Sequence, residues 1–284
     1  MEYATLSNGI KMPMLGYGVY QIPEADTERC VLDAISCGYR SIDTAQAYHN
    51  EEGVGNAIEK SGVPREELFI TTKIWIANAG YEKAKASIAE SLRKLKSSYI
   101  DLLLIHQPFS DYYGTWRAME EAYKNGQLRA IGVANFYPDR LIDLCQFAEI
   151  APIANQVETH VFQQQQTAHA IMQKYGVTHQ SWGPFAEGRN GFFTNGVLNE
   201  VAAKYNKSAA QVALRFLIQC GVVIVIIPKS VHKDRMVQNF DIFDFKLSDD
   251  DMVKIRALDT SRSLFFSHYD PATVEFLTNM GKHA

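Results

Sequence analysis

The sequence predicts an α/β fold: a closed (β/α)8 TIM barrel with an N-terminal β-hairpin as a plug. Apolar runs of strand length alternate with stretches of helical period almost to the end of the chain. Runs buried on both faces, each followed by a helix, indicate parallel strands joined by helical crossovers. Most run ends recur at intervals of 21 to 33 residues, the length of one βα unit. Eight such units in 284 residues close into a barrel rather than an open sheet.

Residues 5–12 turn at Asn8-Gly9 and read as a hairpin, placed over the barrel's far end. Residues 14–20 supply the first barrel strand, ahead of a helical stretch from Glu24 to Cys37. The run Arg40-Ser41-Ile42 ends at Asp43, and Phe69-Ile70-Thr71-Thr72 ends at Lys73. Ala84, Ile88, Leu92 and Leu95 then mark one face of a helix. Residues 100–105 end at His106, residues 131–134 at Asn135 and residues 153–155 at Gln156. Residues 177–181 end at Trp182, and residues 222–227 lead through Pro228 to Lys229. The last interval, 47 residues, has room for an extra helix, and Ala213, Phe216, Leu217 and Cys220 form another apolar stripe. Gly126, Gly176 and Gly221 punctuate helix ends. No composition shift or Pro/Ser-rich linker divides the chain, so residues 1–284 are expected to form one domain.

Composition narrows the function. At 46% hydrophobic and 21% charged, the chain is neither disordered nor of low complexity. Its 28 basic and 32 acidic residues leave a net charge of -4 with no basic block, which offers no footprint for nucleic acid or an anionic membrane. The longest apolar run has six residues, against about 20 for a membrane-spanning helix. Residues 1–5 lack the character of a secretory signal, and Cys30, Cys37, Cys145 and Cys220 show no CxxC spacing. Reduced thiols in a cytoplasmic protein are expected.

Residues 38–51, with Asp43 and Tyr48, look like the first signature of the aldo-keto reductase family. Residues 101–108 resemble its second signature, and Ile227-Pro228-Lys229-Ser230 with Arg235 and Asn239 its third. The resemblance runs in order from about Thr5 to Asp259, and is to compact microbial-type members similar to diketogluconate and methylglyoxal reductases. It implies a catalytic tetrad of Asp43, Tyr48, Lys73 and His106. A carbonyl that accepts hydride becomes an alkoxide and needs a proton. A phenol with a free pKa of about 10 is a weak donor at neutral pH, and an ammonium at Lys73 is expected to lower it. Asp43 would neutralise and orient Lys73. His106 would steer the substrate oxygen and stabilise its charge. His49, His160, His169, His179, His232, His268 and His283 carry no comparable support.

No GxGxxG fingerprint follows a strand, so a Rossmann half is unsupported. The resemblance instead implies NADPH/NADP+ laid across the barrel mouth. Its contacts would be Gly18, Val19, Tyr20 and Asp43, with Asn135 and Gln156 on the carboxamide. Ala134 stands where the family usually has Ser. Trp182 would stack on the nicotinamide, and Gly183 and Phe185 would lie in a strap over the pyrophosphate. Lys229, Ser230 and Arg235 suit a 2′-phosphate, with Gln238 and Asn239 at the adenine. Tyr20, Ala47, Tyr48, Trp75, His106 and Gln107 would wall the carbonyl pocket. Gln107, where the family often has Trp, predicts a smaller, more polar rim for short aldehydes, α-dicarbonyls or keto-sugars. Residues 263–268 either fold over the mouth or pack on an outer helix. The expected partner is a small carbonyl substrate, taken by a monomer. Two alternatives are a sensory nicotinamide-binding subunit of a larger complex and a Schiff-base aldolase using Lys73.

Overall fold

A computed structural model of the chain describes residues 1–226 and 232–282. The hairpin strands are β1 (Tyr3–Thr5) and β2 (Lys11–Pro13). The barrel strands are β3 (Leu15–Gly18), β4 (Ser41–Asp43), β5 (Phe69–Ile74), β6 (Leu102–Ile105), β7 (Ile131–Ala134), β8 (Ala154–Glu158), β9 (Thr178–Trp182) and β10 (Val223–Ile226). All eight are parallel, in sequence order, and β10 pairs with both β9 and β3 to close the ring. The helices are α1 (Glu24–Ser36), α2 (Glu51–Lys60), α3 (Tyr81–Lys94), α4 (Tyr112–Lys124), α5 (Pro138–Phe147), α6 (Gln166–Lys174), α7 (Gly196–Tyr205), α8 (Ala209–Gln219), α9 (Lys233–Phe240), α10 (Asp249–Arg256) and α11 (Pro271–Lys282).

The hairpin is where the sequence put it. Tyr3 faces Pro13 and Thr5 faces Lys11, with Gly9 at φ +86° in the turn. Asn8 Nδ2 donates to the carbonyl of Arg129, just ahead of β7, so the plug lies against the strand beginnings. Leu6 and Met12 point into the core and are buried. The long last interval holds two helices, α7 and α8, the second opened by Ser208 and Gln211 capping each other.

Three boundaries differ from the sequence reading. Ile100 forms only an isolated bridge to Leu128, and β6 starts at Leu102. The reason is Asp101, whose buried carboxylate takes Arg65 and Arg129, each at 2.7 Å, and the backbone N–H of Ile70. Lys73 and Gln156 lie within strands, because β5 runs one residue and β8 two residues further than their apolar runs. Trp182 closes β9, where the sequence reading had that run end.

On the outer face of β9, His179 is buried between two partners. Its Nε2 lies 2.8 Å from Thr159 Oγ1 and its Nδ1 lies 2.9 Å from His169 Nδ1 on α6. Burial, reinforced by His169, pushes the imidazole down to about 3, so the folded protein holds it neutral. An unfolded chain binds that proton with a pKa of about 6.5. The contribution to stability is therefore complete above that value and is lost as pH falls towards 3. The melting temperature is expected to fall steadily between pH 6.5 and pH 4. A His179→Gln variant should show a shallower slope over the same range; an equal slope in both proteins contradicts the assignment.

Candidate active site

The strand ends bring Asp43 and Lys73 together from adjacent strands. Both side chains are buried, and Lys73 Nζ donates to Asp43 Oδ1 and, at 2.9 Å, to the carbonyl of Thr44. The other Asp43 oxygen accepts from Gln156 Nε2 at 2.8 Å. Tyr48 OH lies 3.4 Å from Lys73 Nζ. It sits on one 3₁₀ turn, Gln46–Tyr48, that the sequence reading had not singled out as a structural unit.

Two amides fix that turn. Asn50 Nδ2 donates to the carbonyls of Val19 and Ile22, and its Oδ1 accepts from Thr44 Oγ1 at 2.7 Å. Gln46 Oε1 accepts from the Trp75 N–H and from Asn78 Nδ2, while its Nε2 donates to Ser91 Oγ. Both residues stand inside the first signature, so their presence was legible although their bonding was not.

His106 follows β6 and lines the same cleft. Its ring is edge-on to Tyr48 (centroids 5.6 Å apart) and to Trp75 (5.2 Å). Burial, then the charge of Lys73, holds the imidazole well below its usual pKa, so it is neutral. Its Nδ1 is buried with no hydrogen-bond partner among the described residues.

The electrostatics of Tyr48 differ from the sequence expectation. Burial, then the carboxylate of Asp43, holds the phenol well above its ordinary range. Lys73 does not reverse this, because its charge is matched by Asp43 at hydrogen-bond distance and its own ammonium is disfavoured by burial. The resting group is a neutral O–H, the form that can give a proton.

From these residues a cleft of about 1040 Å³ runs past Asn135, Gln156 and Trp182 to Gly183, Phe185, Arg235, Gln238 and Asn239. That is at the upper end of the range for small-molecule sites. Asn135 Oδ1 accepts from Trp182 Nε1 at 2.9 Å, and its Nδ2 donates to the carbonyl of His106. An aromatic face, two rim amides and a distant arginine fit a nicotinamide dinucleotide. Tyr20, Ala47, Tyr48, Trp75, His106 and Gln107 all line the cleft. Gly18 and Val19 are buried at the end of β3 and do not line it, and Asp43 lies beneath its floor. Lys229 and Ser230 fall outside the described residues. The sequence reading missed Ser208, Ala209 and Ala210, at the start of α8, and Asn199 on α7. The Ser208-x-x-Gln211 capping pattern was the available signal for the first three.

Residues 263–268 fold over the mouth. Glu158, at the end of β8, accepts from Ser263 Oγ at 2.5 Å and from the Leu264 N–H at 2.9 Å. Arg189 donates to the Leu264 carbonyl and lies 4.3 Å over the Phe265 ring. Phe265 and Phe266 then pack on Trp182, with centroids at 5.2 and 6.1 Å. Gln107 lines the cleft, and its Oε1 is held by His268 Nε2 at 2.6 Å.

The model of the Aldo/keto reductase family matches residues 9–260. The chain belongs to that family. It is an NADP(H)-dependent oxidoreductase of carbonyl compounds. The glyoxal reductase of Bacillus subtilis is 48% identical over 255 residues, spanning 89% of this chain and 91% of the relative. The methylglyoxal reductase of Escherichia coli is 40% identical over 262 residues, 91% and 94% of the two chains. The structure of Bombyx mori aldo-keto reductase in complex with NADP superposes with a TM-score of 0.88 at 32% identity, covering 96% of each chain.

The anchoring of residues 263–268 by Glu158 is testable on its own. A hydrogen bond to a charged group contributes about 1.5–3 kcal/mol. Glu158→Ala should therefore raise amide exchange at Leu264 by about ten- to a hundredfold. Unchanged protection at Leu264 by exchange NMR rules the latch out.

Proposed function

We propose that this member of the aldo-keto reductases reduces small aldehydes, α-dicarbonyls or keto-sugars to alcohols, with Tyr48 as the general acid. The observation that carries the reading is the neutral Tyr48 hydroxyl, 3.4 Å from Lys73 Nζ above the buried pair with Asp43. Relatives named glyoxal reductase and methylglyoxal reductase, at 48% and 40% identity, support the substrate class.

The residues of this chain divide the work. Asn135, Gln156 and Trp182 would hold and orient the nicotinamide, and Arg235 would meet the phosphate-bearing end. A bound reduced nicotinamide would supply the hydride, so that the carbonyl carbon would gain a C–H bond as the C=O π pair moves to oxygen. Tyr48 supplies the proton that turns the nascent alkoxide into a hydroxyl. Lys73 stabilises the phenolate left behind until solvent returns the proton. His106, neutral, can donate one N–H to the substrate oxygen without competing as an acid. A Schiff base at Lys73 has no support, since its side chain is 1% exposed and engaged with Asp43 and Thr44.

Tyr48→Phe is expected to lower kcat for methylglyoxal by about 10²–10⁴-fold. NADPH binding, followed by tryptophan quenching, should stay within about twofold. A variant that keeps a tenth or more of the native rate overturns the acid assignment. Arg235→Ala should weaken NADPH by about tenfold or more through loss of a charge-assisted bond, with NADH much less affected. Equal weakening of both cofactors removes Arg235 from the 2′-phosphate role.

A further inference from the structure

We propose that Glu51 is a positioning residue for the proton transfer: a one-way chain of hydrogen bonds from Gln46 through Ser91 to Glu51 sets where the Tyr48 hydroxyl stands relative to Lys73. The inference rests on the reductase reading above and adds to it a residue that touches neither substrate nor cofactor.

Glu51 opens α2, directly after the Asn50 that holds the Tyr48 turn, and it is 2% exposed. A carboxyl group so deeply buried needs hydrogen-bond partners. Thr72 Oγ1 donates to its Oε1 at 2.6 Å. Successive side chains of a strand point to opposite faces, so Thr72 looks out towards α2 while Lys73 looks into the barrel. The second partner is the buried Ser91 hydroxyl on α3. Burial pushes the Glu51 carboxyl up, with Glu90 adding to the effect, while the two hydroxyls and the Lys94 ammonium pull the other way. One carboxyl group thus joins α2, β5 and α3.

The direction of each bond is fixed from both ends. Gln46 Oε1 accepts from the Trp75 N–H at 3.0 Å and from Asn78 Nδ2 at 2.8 Å. Neither donor can accept, so the Gln46 amide has one orientation and its Nε2 must donate. It does so to Ser91 Oγ at 3.1 Å and, at 3.4 Å, to the Ser87 carbonyl. Ser91 Oγ, having accepted, gives its own hydrogen to Glu51. A carboxylate only accepts, so the chain ends there, and bonds aligned in this way polarise one another.

The chain reaches the acid because Gln46 and Tyr48 share one turn. The Trp75 N–H ties that turn to the end of β5, just past Lys73. A Gln46 amide free to rotate would release the turn, and the 3.4 Å contact of Tyr48 with Lys73 has little length to spare. Through Thr72 the same carboxyl group braces the strand that carries Lys73. Glu51 therefore grips both members of the Tyr48–Lys73 pair from outside the barrel.

The test reads methylglyoxal kinetics, NADPH binding and backbone amide exchange in the full-length protein. Glu51→Leu removes the acceptor and should lower kcat by about ten- to a hundredfold, the effect of a misplaced proton donor, with KM and NADPH affinity within about twofold. Glu51→Gln keeps an oxygen for Ser91 and should hold kcat within about threefold of the native value. Ser91→Ala should lower kcat by about tenfold, and adding it to Glu51→Leu should cost little more, because both cut one chain. Losses that multiply in the double variant overturn the proposal. So does a loss shared equally by kcat, KM and NADPH binding, which marks a merely structural residue. If Glu51→Leu does not fold, Ser91→Ala decides alone, and an unchanged kcat overturns the proposal. The Trp75 N–H gives a readout free of catalysis: its exchange should rise about tenfold in Ser91→Ala. A native protein that reduces no carbonyl while that rise is seen sinks the reductase reading and leaves the hydrogen-bond chain standing. Unchanged exchange overturns the chain itself.

Discussion

The buried pair of Lys73 and Asp43 is the constraint on which the site depends. Two charges removed from water are stable only when their remaining hydrogen-bonding capacity is met. Lys73 has three donors, and they are directed at Asp43, the Thr44 carbonyl and the Tyr48 hydroxyl. Asp43 offers its second oxygen to Gln156. Each partner is thus recruited by an electrostatic need before any chemistry is considered. The phenol is the third ligand of a buried ammonium, and that fixes where its O–H must be.

The barrel supplies the rest of the placement. Adjacent parallel strands β4 and β5 bring residues of one rim into contact, so Asp43 and Lys73 meet although 30 positions separate them. The Tyr48 turn has no strand to hold it. Asn50 and Gln46 hold it instead, through side-chain bonds to four backbone groups and three side chains. A tyrosine on a free loop would lose its 3.4 Å relation to Lys73. These two amides are why the Tyr48 phenol can be positioned without belonging to the sheet.

What was legible in the sequence follows from where the information sits. Strand runs and their polar ends are local, so Asp43, His106 and Asn135 fell where expected. Gln156 lies mid-strand because β8 continues through Val157 and Glu158, a polar extension that an apolar run cannot reveal. The acidity of Tyr48 was misjudged for a different reason. Adjacency to Lys73 was read correctly, but the compensation by Asp43 and the depth of burial are tertiary facts. The contact of the Gln107 amide oxygen with His268, 161 positions away, is likewise tertiary and could not be read from the sequence. The aromatic rim belongs to residues 265–280, whose path over the cleft depends on Glu158 and on the cluster around Ile76.

That roof bears on the chemistry below it. Phe265 and Phe266 pack on Trp182, and Leu277 packs beside Trp75, whose ring meets His106 edge-on. Burial is the leading cause of the raised phenol and of the lowered imidazole and ammonium. That burial keeps both Tyr48 and His106 neutral. It also strengthens the pull of Lys73 on the phenolate, since Coulomb attraction grows as the local dielectric falls. The dry surroundings that keep the phenol protonated at rest are thus the same that would favour its anion beside Lys73 once the proton has left.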